Sequence, residues 1–425
     1  MTAQAAASGA LVLIILLGGT IMRSRFPKVP LWSVMMLCTA VTLVTDLVPV
    51  EEAMSLVDLD VITLLIGMFA LVGMADRSGL LDFVAYYFLS MLKTTRSIAI
   101  GASLLFGLMS AFFVNDTVAL MGPPIAVTIG RALGGSYEFA FLLLCFSITV
   151  GSTMTPIGNP QNVLIAIQSG MRAPFPEFLL MLTVPTLLSL VITGVLMMRL
   201  YRLPNVRSQI VVSPWEAIRS RREFTLAAVG GGAAVLALMV NDVNAALGLP
   251  HVTARGLIPF TAAAALLAFT ENPREVLARV DFGTILFFIG MFITVEGIWR
   301  SGVLQPVFSA LLLDNPSGPL GLASLTLLSL VMSQLISNVP YTKLAIQQLK
   351  ELGVTGAETD VWLSLAAAAT LAGNITILGA ASNVIVLEVL ESRYGSTVSY
   401  LRFMKVGLLV TAATVPPFLL FLILL

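Results

Sequence analysis

Charge is scarce in this sequence. Only 11% of its 425 residues are Asp, Glu, Lys or Arg, about half the share of an ordinary soluble chain. The 23 bases and 23 acids cancel, so no basic excess points to nucleic acid. Cysteine is nearly absent. Cys38 and Cys145 stand on different apolar segments, with no spacing for metal or redox chemistry, and read as buried packing residues. The single histidine, His251, follows Pro250 in a short loop and reads as an ordinary loop residue. No GxxxxGK phosphate loop occurs, so the chain does not hydrolyse a nucleotide by that route. Energy for any transport then comes from an ion gradient or from a separate ATPase subunit. No nucleophile–base pair and no metal set is apparent. The chain is therefore not read as an enzyme, and neither a cofactor nor a metal is expected.

What is present is apolar length. Hydrophobic residues make up 58% of the chain and mean hydropathy is +0.98. They cluster in runs with few or no charges: Leu11–Met22, Leu31–Val48, Val61–Met74, Phe178–Met198, Phe224–Val240, Leu257–Phe269, Ile285–Val295 and Val406–Leu425. A helix needs about 20 mostly apolar residues to cross a hydrocarbon core about 30 Å thick. The first run has no basic residue before it, so it is not an obvious cleavable signal. Nothing reads as a separate soluble domain. The fold class is an all-α polytopic membrane protein, placed in the cell inner (cytoplasmic) membrane among lipid.

The sequence also repeats itself. Asp60-Val-Ile-Thr63 opens one apolar run and Asp281-Phe-Gly-Thr284 another. Each leads to Ile-Gly-Met-Phe, at Ile66–Phe69 and Ile289–Phe292, and then to Arg-Ser-Gly-x-Leu, at Arg77–Leu81 and Arg300–Leu304. Ser110-x4-Asn115 matches Ser333-x4-Asn338, and Thr155-x2-Gly158-x3-Asn162-Val163 matches Thr376-x2-Gly379-x3-Asn383-Val384. All pairs are offset by 221 to 223 residues, and a conserved order of polar residues at one offset marks a duplication. The expected division is repeat 1 over 1–200, a basic cytoplasmic linker over 201–222 and repeat 2 over 223–425.

Positive charge orients the chain. Arg199–Arg222 holds six arginines and is expected in the cytoplasm, as are Arg23, Arg25 and Lys28. Glu51, Glu52 and Asp58, without a basic neighbour, are expected outside, as is the C-terminal Leu425. Ser97–Arg131 is broken by Asn115-Asp116-Thr117 and carries basic residues at both ends, which predicts a re-entrant hairpin. Tyr137–Ser169, broken at Thr155–Asn162, is expected to cross. Each repeat then has five crossings and one hairpin. The odd number inverts the second copy, giving about ten transmembrane helices, two hairpins and discontinuous helices at midplane.

Irregular backbone at membrane depth has to be buried in protein or line a wet cavity. Pro156 and Pro160 remove N–H donors, while Gly158, Gly373 and Gly379 permit the unusual backbone. Half-helix N-termini then face a solute with free N–H groups. Asn115, Asn159, Asn162, Asn338 and Asn383 supply adaptable donors and acceptors, and Thr117, Thr155, Thr376 and Ser382 supply hydroxyls. All nine are candidate substrate-binding residues; the competing reading is that some only cap half-helices. Charges inside the membrane are costly and mark function. Asp116 at the first tip and Lys343 on the second hairpin have no charged counterpart in the opposite repeat, where Val339 and Leu120 stand at the equivalent positions. They are candidates for ion coupling, with Glu296 third; a static Asp116–Lys343 pair bracing the hairpins is the competing reading.

At these residues the chain resembles a known family. Ser-Ala-Phe-Phe-Val-Asn115-Asp116-Thr-Val-Ala-Leu and Gly373-Asn374-Ile-Thr376-Ile-Leu-Gly379-Ala-Ala-Ser382-Asn383-Val384 are similar to the paired motifs of the arsenite permease (ArsB)/NhaD branch of the ion transporter superfamily. Thr155-Pro156-Ile-Gly158-Asn159-Pro160-Gln161-Asn162 looks like the version in that branch's anion permeases. The resemblance implies a scaffold domain beside a moving transport domain, and it allows a homodimer. Related dicarboxylate carriers have Ser-Asn-Thr at both tips. The tips here, Val114-Asn115-Asp116-Thr117 and Ser337-Asn338-Val339-Pro340, depart from that and speak against a Na⁺-coupled dicarboxylate carrier. The expected function is secondary active transport, with a small inorganic solute or ion as partner. Proton-coupled efflux of arsenite or antimonite by alternating access comes first. An inorganic or organic anion permease and a Na⁺/H⁺ antiporter are the alternatives.

Overall fold

The computed structural model describes residues 3–25, 29–207, 210, 212–313, 315–395 and 397–424. Lys28 and Leu425, and the side chains of Arg23 and Arg25, which carry part of the expected topology, lie outside the described residues. The first half runs α1 (Ala3–Arg25), α2 (Leu31–Val44), α3 (Val50–Ala53), α4 (Leu59–Ser78), α5 (Leu80–Ser90), α6 (Thr95–Phe113), α7 (Asn115–Ala132), α8 (Tyr137–Gly151), α9 (Pro160–Gln168) and α10 (Pro174–Leu200). The second runs α11 (Arg221–Ala246), α12 (Leu257–Leu267), α13 (Pro273–Leu277), α14 (Phe282–Ser301), α15 (Gln305–Leu311), α16 (Pro319–Ile336), α17 (Asn338–Glu351), α18 (Thr359–Leu371), α19 (Ala381–Tyr394) and α20 (Tyr400–Leu424). Nine helices among the described residues are long and apolar enough to cross a membrane: α1, α4, α6, α8 with its 3-10 extension, α10, α11, α14, α16 and α20.

From α2 onward the second half returns the elements of the first, α2 as α12 through α10 as α20. The same punctuation sets them. Asp58 accepts from the amides of Asp60 and Val61 to cap α4, and Asp281 accepts from that of Thr284 to cap α14. Gly79 and Gly302, at φ 83° and 71°, end both helices in the left-handed conformation, which glycine adopts without a Cβ clash. Each helix is 20 residues long, so it spans about 30 Å.

Ion pairs show that the halves are inverted. Arg279, just before α14, pairs with Asp76 near the end of α4. Arg300, near the end of α14, pairs with Glu52 upstream of α4 at 2.9 Å. The Arg219 guanidinium also meets Asp76 O and Asp82, which places the central linker at the C-terminal end of α4. That side is here the linker end; the side of Glu52 and Asp58 is the far end.

Two packing groups result. In one, α4 lies on α11 and α12, while α14 lies on α1 and α2. In the other, the fully buried cores of α8 and α18 sit within the hairpins α6–α7 and α16–α17, with α10 and α20 alongside. The halves interlock there: α9 packs on α17 and α18, and α19 packs on α7 and α8. Glycine permits the closest approaches. A Cβ at Gly151 would stand 2.2 Å from Gly107 Cα, so α8 and α6 touch through backbone. Hairpin α6–α7 begins with the Thr95 amide on Val206 O, and Glu138 beyond its end accepts from Tyr201 Oη. Both ends therefore lie at the linker end, as expected of a re-entrant hairpin.

The orientation across the membrane can be read by thiol labelling. In a chain with Cys38 and Cys145 replaced by Ala, Glu51→Cys is expected to react with an impermeant maleimide added to whole cells. Arg219→Cys is expected to react only after permeabilisation. The reverse pattern would invert the assignment.

Candidate functional site

The tips of both hairpins carry non-glycine residues at positive φ: Val114 at 62° and Ser337 at 71°. Such backbone costs about 1–3 kcal/mol and persists only where the surroundings hold it. The surroundings do so for the first tip, where the Asn115 amide donates to Gly158 O at 2.9 Å, the carbonyl of a broken helix. The second tip sets the Asn338 side chain against Gly373, where an added Cβ would stand 3.4 Å from Nδ2.

The breaks are braced from within. Asn162 Nδ2 donates to Ser152 O at 3.0 Å and Thr155 O at 2.9 Å. Asn383 Nδ2 donates to Gly373 O at 2.7 Å and Thr376 O at 3.3 Å. These are equivalent positions, and both amides satisfy carbonyls that the interrupted helices leave open. The hydroxyls tie each break to its own hairpin: Thr155 Oγ1 donates to Ala111 O, and Thr376 Oγ1 to Gln334 Oε1. Asn159 caps α9 by accepting from the Asn162 amide at 2.9 Å, and its Nδ2 reaches Thr370 at 3.1 Å. Ala380 stands in its place before α19, which has no side-chain cap.

Between these parts lies a cavity of about 550 Å³, within the range of roughly 300–1,000 Å³ usual for small-molecule sites. The first residues of four helices line it: Asn115 of α7, Pro160 of α9, Asn338 of α17 and Ala381 of α19. Three of these N-termini, those of α7, α17 and α19, lack a side-chain cap. Buried Oδ1 atoms of Asn115, Asn338 and Asn383, and the Ser382 Oγ, have no hydrogen-bond partner. Partial positive charge from the helix termini thus borders the same cavity as Asn115 and Asn338, with Ser382 and Asn383 buried behind it. Asp116, Asp281 and Glu388 line the same cavity, and among the described residues no Lys or Arg does. A second cavity of about 530 Å³ lies between α4 and α7 and shares Asp116, Asp281 and Ile385 with the first.

The candidate residues separate accordingly. Asn115, Asn338 and Asp116 line the first cavity, and Thr117 the second. Asn159, Thr155, Asn162, Thr376 and Asn383 brace the backbone behind it, and Ser382 is buried there with its hydroxyl unpartnered. Lys343 and Glu296 line neither cavity. The Lys343 ammonium donates to Gln168, and Glu296 accepts from Arg300 and Gln347, at the far end. Lys343 and Asp116 do not brace the hairpins as an ion pair. Among the lining residues that the sequence does not mark as site candidates are Glu388, Asp281 and Gln161. An acid inside the apolar run Val384–Leu390 was the available signal for the first.

A profile of the citrate transporter (CitMHS) family matches residues 11–368. An uncharacterized transporter of Mycobacterium tuberculosis (strain H37Rv) is 27% identical over 371 residues, which cover 84% of each chain. A silicon efflux transporter of Oryza sativa subsp. japonica is 24% identical, over 86% of this chain and 87% of its own. Among solved structures, the YdaH transporter of Alcanivorax borkumensis, described as having an unusual topology, aligns with a TM-score of 0.56 at 16% identity. The alignment covers 85% of this chain and 84% of that one.

Bracing and lining residues are separable by experiment. Asn162→Ala removes the two amide hydrogen bonds to the Ser152 and Thr155 carbonyls and is expected to cost about 1–3 kcal/mol of stability, read as a lower melting temperature in detergent. Asn338→Ala removes an atom that already lacks a partner, so its melting temperature is expected to stay near that of the parent. Equal destabilisation by both would erase the distinction.

Proposed function

The chain belongs to the citrate transporter (CitMHS) family, and from that premise we propose that it carries a small oxygen-rich anion of the carboxylate class by alternating access. It is a multi-pass transporter of the inner membrane. The observation that carries the substrate class is the convergence of four helix N-termini, three without a side-chain cap, on one cavity. Free N–H groups and the terminal dipoles favour carboxylate oxygens. The unpaired Asn115 and Asn338 Oδ1 atoms accept from a hydroxyl of the same solute.

The cavity's acids, Asp116, Asp281 and Glu388, oppose a bare anion. An anion therefore enters with a compensating cation, H⁺ or Na⁺. Asp281 is engaged in capping α14 through the Thr284 amide and hydroxyl. Asp116 lies where the two cavities meet, in the strained tip of a hairpin, and is the coupling carboxylate in this reading. A neutral oxyacid such as arsenite or silicic acid is the second reading. The unpaired amide oxygens favour it, because such a solute presents hydroxyl donors, but it makes less use of the helix termini.

Uptake into proteoliposomes decides between them. Radiolabelled citrate is expected to accumulate under an imposed H⁺ or Na⁺ gradient, and Asn338→Ala to raise KM about fivefold or more, the effect of one lost hydrogen bond. Asp116→Asn is expected to abolish gradient-driven accumulation while leaving citrate exchange. Movement of arsenite or silicic acid with no citrate, malate or succinate flux would overturn the carboxylate assignment.

A further inference from the structure

Because the halves are equivalent and inverted, every contact at the far end has a counterpart position at the linker end. At the far end α9 packs on α4, and α17 packs on α14. The counterparts would be α19 on α14 and α7 on α4. Those pairs are parted instead. Thr284, Phe287 and Phe288 of α14 face Ile385 and Glu388 of α19 across the first cavity, and Phe69 and Gly73 of α4 face Leu120 and Pro124 of α7 across the second.

The far end is closed by a polar strap. Lys343 Nζ donates to Gln168 Oε1 at 2.8 Å and lies 5.6 Å from the centre of the Phe292 ring. Gln168 Nε2 donates to Asp58 Oδ2 at 2.7 Å, and Gln347 Nε2 to Glu296 Oε2 at 2.8 Å. The other Glu296 oxygen accepts from Arg300 at 2.8 Å, and Arg300 reaches Glu52. The Gln168–Asp58 and Gln347–Glu296 links join α9 and α17 of one packing group to the beginning of α4 and to α14 of the other, and the Lys343–Gln168 link ties α17 to α9. At the repeat offset, Phe292, Glu296, Lys343 and Gln347 correspond to Phe69, Gly73, Leu120 and Pro124. Those four line the second cavity. The open cavity at one end is thus the unclosed image of the strap at the other, with Glu296, Lys343 and Gln347 replaced by Gly73, Leu120 and Pro124.

We infer that Lys343, Gln168, Gln347, Glu296 and Asp58 form the gate of this carrier at the far end, and that this gate biases the resting protein toward opening at the linker end. Its counterpart, Phe69, Gly73, Leu120 and Pro124, closes by apolar contact in the alternate state, where the strap is broken. The inference rests on the alternating-access reading but not on the identity of the solute.

The test needs no substrate. Leu120 is 65% exposed in the open cavity, so Leu120→Cys, in a chain with Cys38 and Cys145 replaced by Ala, reacts readily with a maleimide. Combining it with Lys343→Leu and Glu296→Gln is expected to slow that reaction about tenfold, as loss of charge-assisted bonds shifts a two-state equilibrium. An unchanged rate in a variant that stays monodisperse would show the strap to be a static brace. A second measurement stands if that variant does not fold. Glu296→Cys and Gln347→Cys, bridged by a short reducible bifunctional reagent, are expected to stop citrate exchange until the bridge is reduced. Undiminished exchange after complete bridging overturns the gate. A chain that moves no carboxylate yet shows the labelling shift loses the substrate assignment and keeps the gate.

Discussion

Lipid offers no partner to an open peptide group, and the architecture depends on that constraint. Two helices are interrupted inside the bundle, around residues 152–159 and 372–380. Their free carbonyls are met by the side-chain amides of Asn162 and Asn383. Thr155 and Thr376 then fasten each break to a hairpin arm. With carbonyls of the breaks held internally, the uncapped N-termini of α7, α17 and α19 border the cavity. The first hairpin tip is seated on the same scaffold, since Asn115 donates to Gly158 O within the first break. Bracing and binding are therefore two faces of one backbone problem.

The symmetry supplies the scaffold, and its violations supply the chemistry. The first break is held by the other half and by its own cap: Thr370 of α18 gathers the amide groups of Asn159 and Gln161, and Asn159 caps α9. The second break has Ala380 instead of the capping asparagine and leaves Ser382 Oγ, Asn383 Oδ1 and both polar atoms of Asn374 unpaired. Each such buried atom costs about 1–3 kcal/mol. Asp116 is asymmetric in the same sense, with Val339 at the equivalent position.

The fold could be read from the sequence because its causes are local. Run length sets the spans, Asp58 and Asp281 start helices, Gly79 and Gly302 end them, and the offset of 221 to 223 residues doubles every such signal. The hairpins and breaks followed from Pro, Gly and Asn in apolar surroundings. Roles within the site were less legible. Asn115 and Asn162 are alike in type and in place at a break, yet one lines the cavity and the other holds carbonyls seven and ten residues upstream. Lys343 was read toward Asp116 because both are membrane charges on hairpins. Its partner, Gln168, lies 175 residues away in the chain and becomes a neighbour only when α9 crosses to the other half. The tip sequences alone speak against a Na⁺-coupled dicarboxylate carrier, while an anion permease stays an alternative. The helix termini that favour a carboxylate are visible only once four segments converge.

The composition of the strap bears on how such a carrier can turn over. Its states must lie within a few kcal/mol of each other, or one is never populated. A buried ion pair between the packing groups would be a poor closure, since breaking one strands a charge and costs about 3–5 kcal/mol. Here glutamine stands between the charges: Gln168 between Lys343 and Asp58, and Gln347 against Glu296. Opening the strap exchanges amide bonds for water at the far end and leaves Glu296 with Arg300 on the same helix. Each bond lost is a single charge-assisted hydrogen bond, in the range of about 1.5–3 kcal/mol before water replaces it. The neutral amides thus keep the far end shut at rest without making its opening prohibitive. The apolar counterpart at the linker end closes with no hydrogen bond to break, so the equilibrium is tilted and not locked.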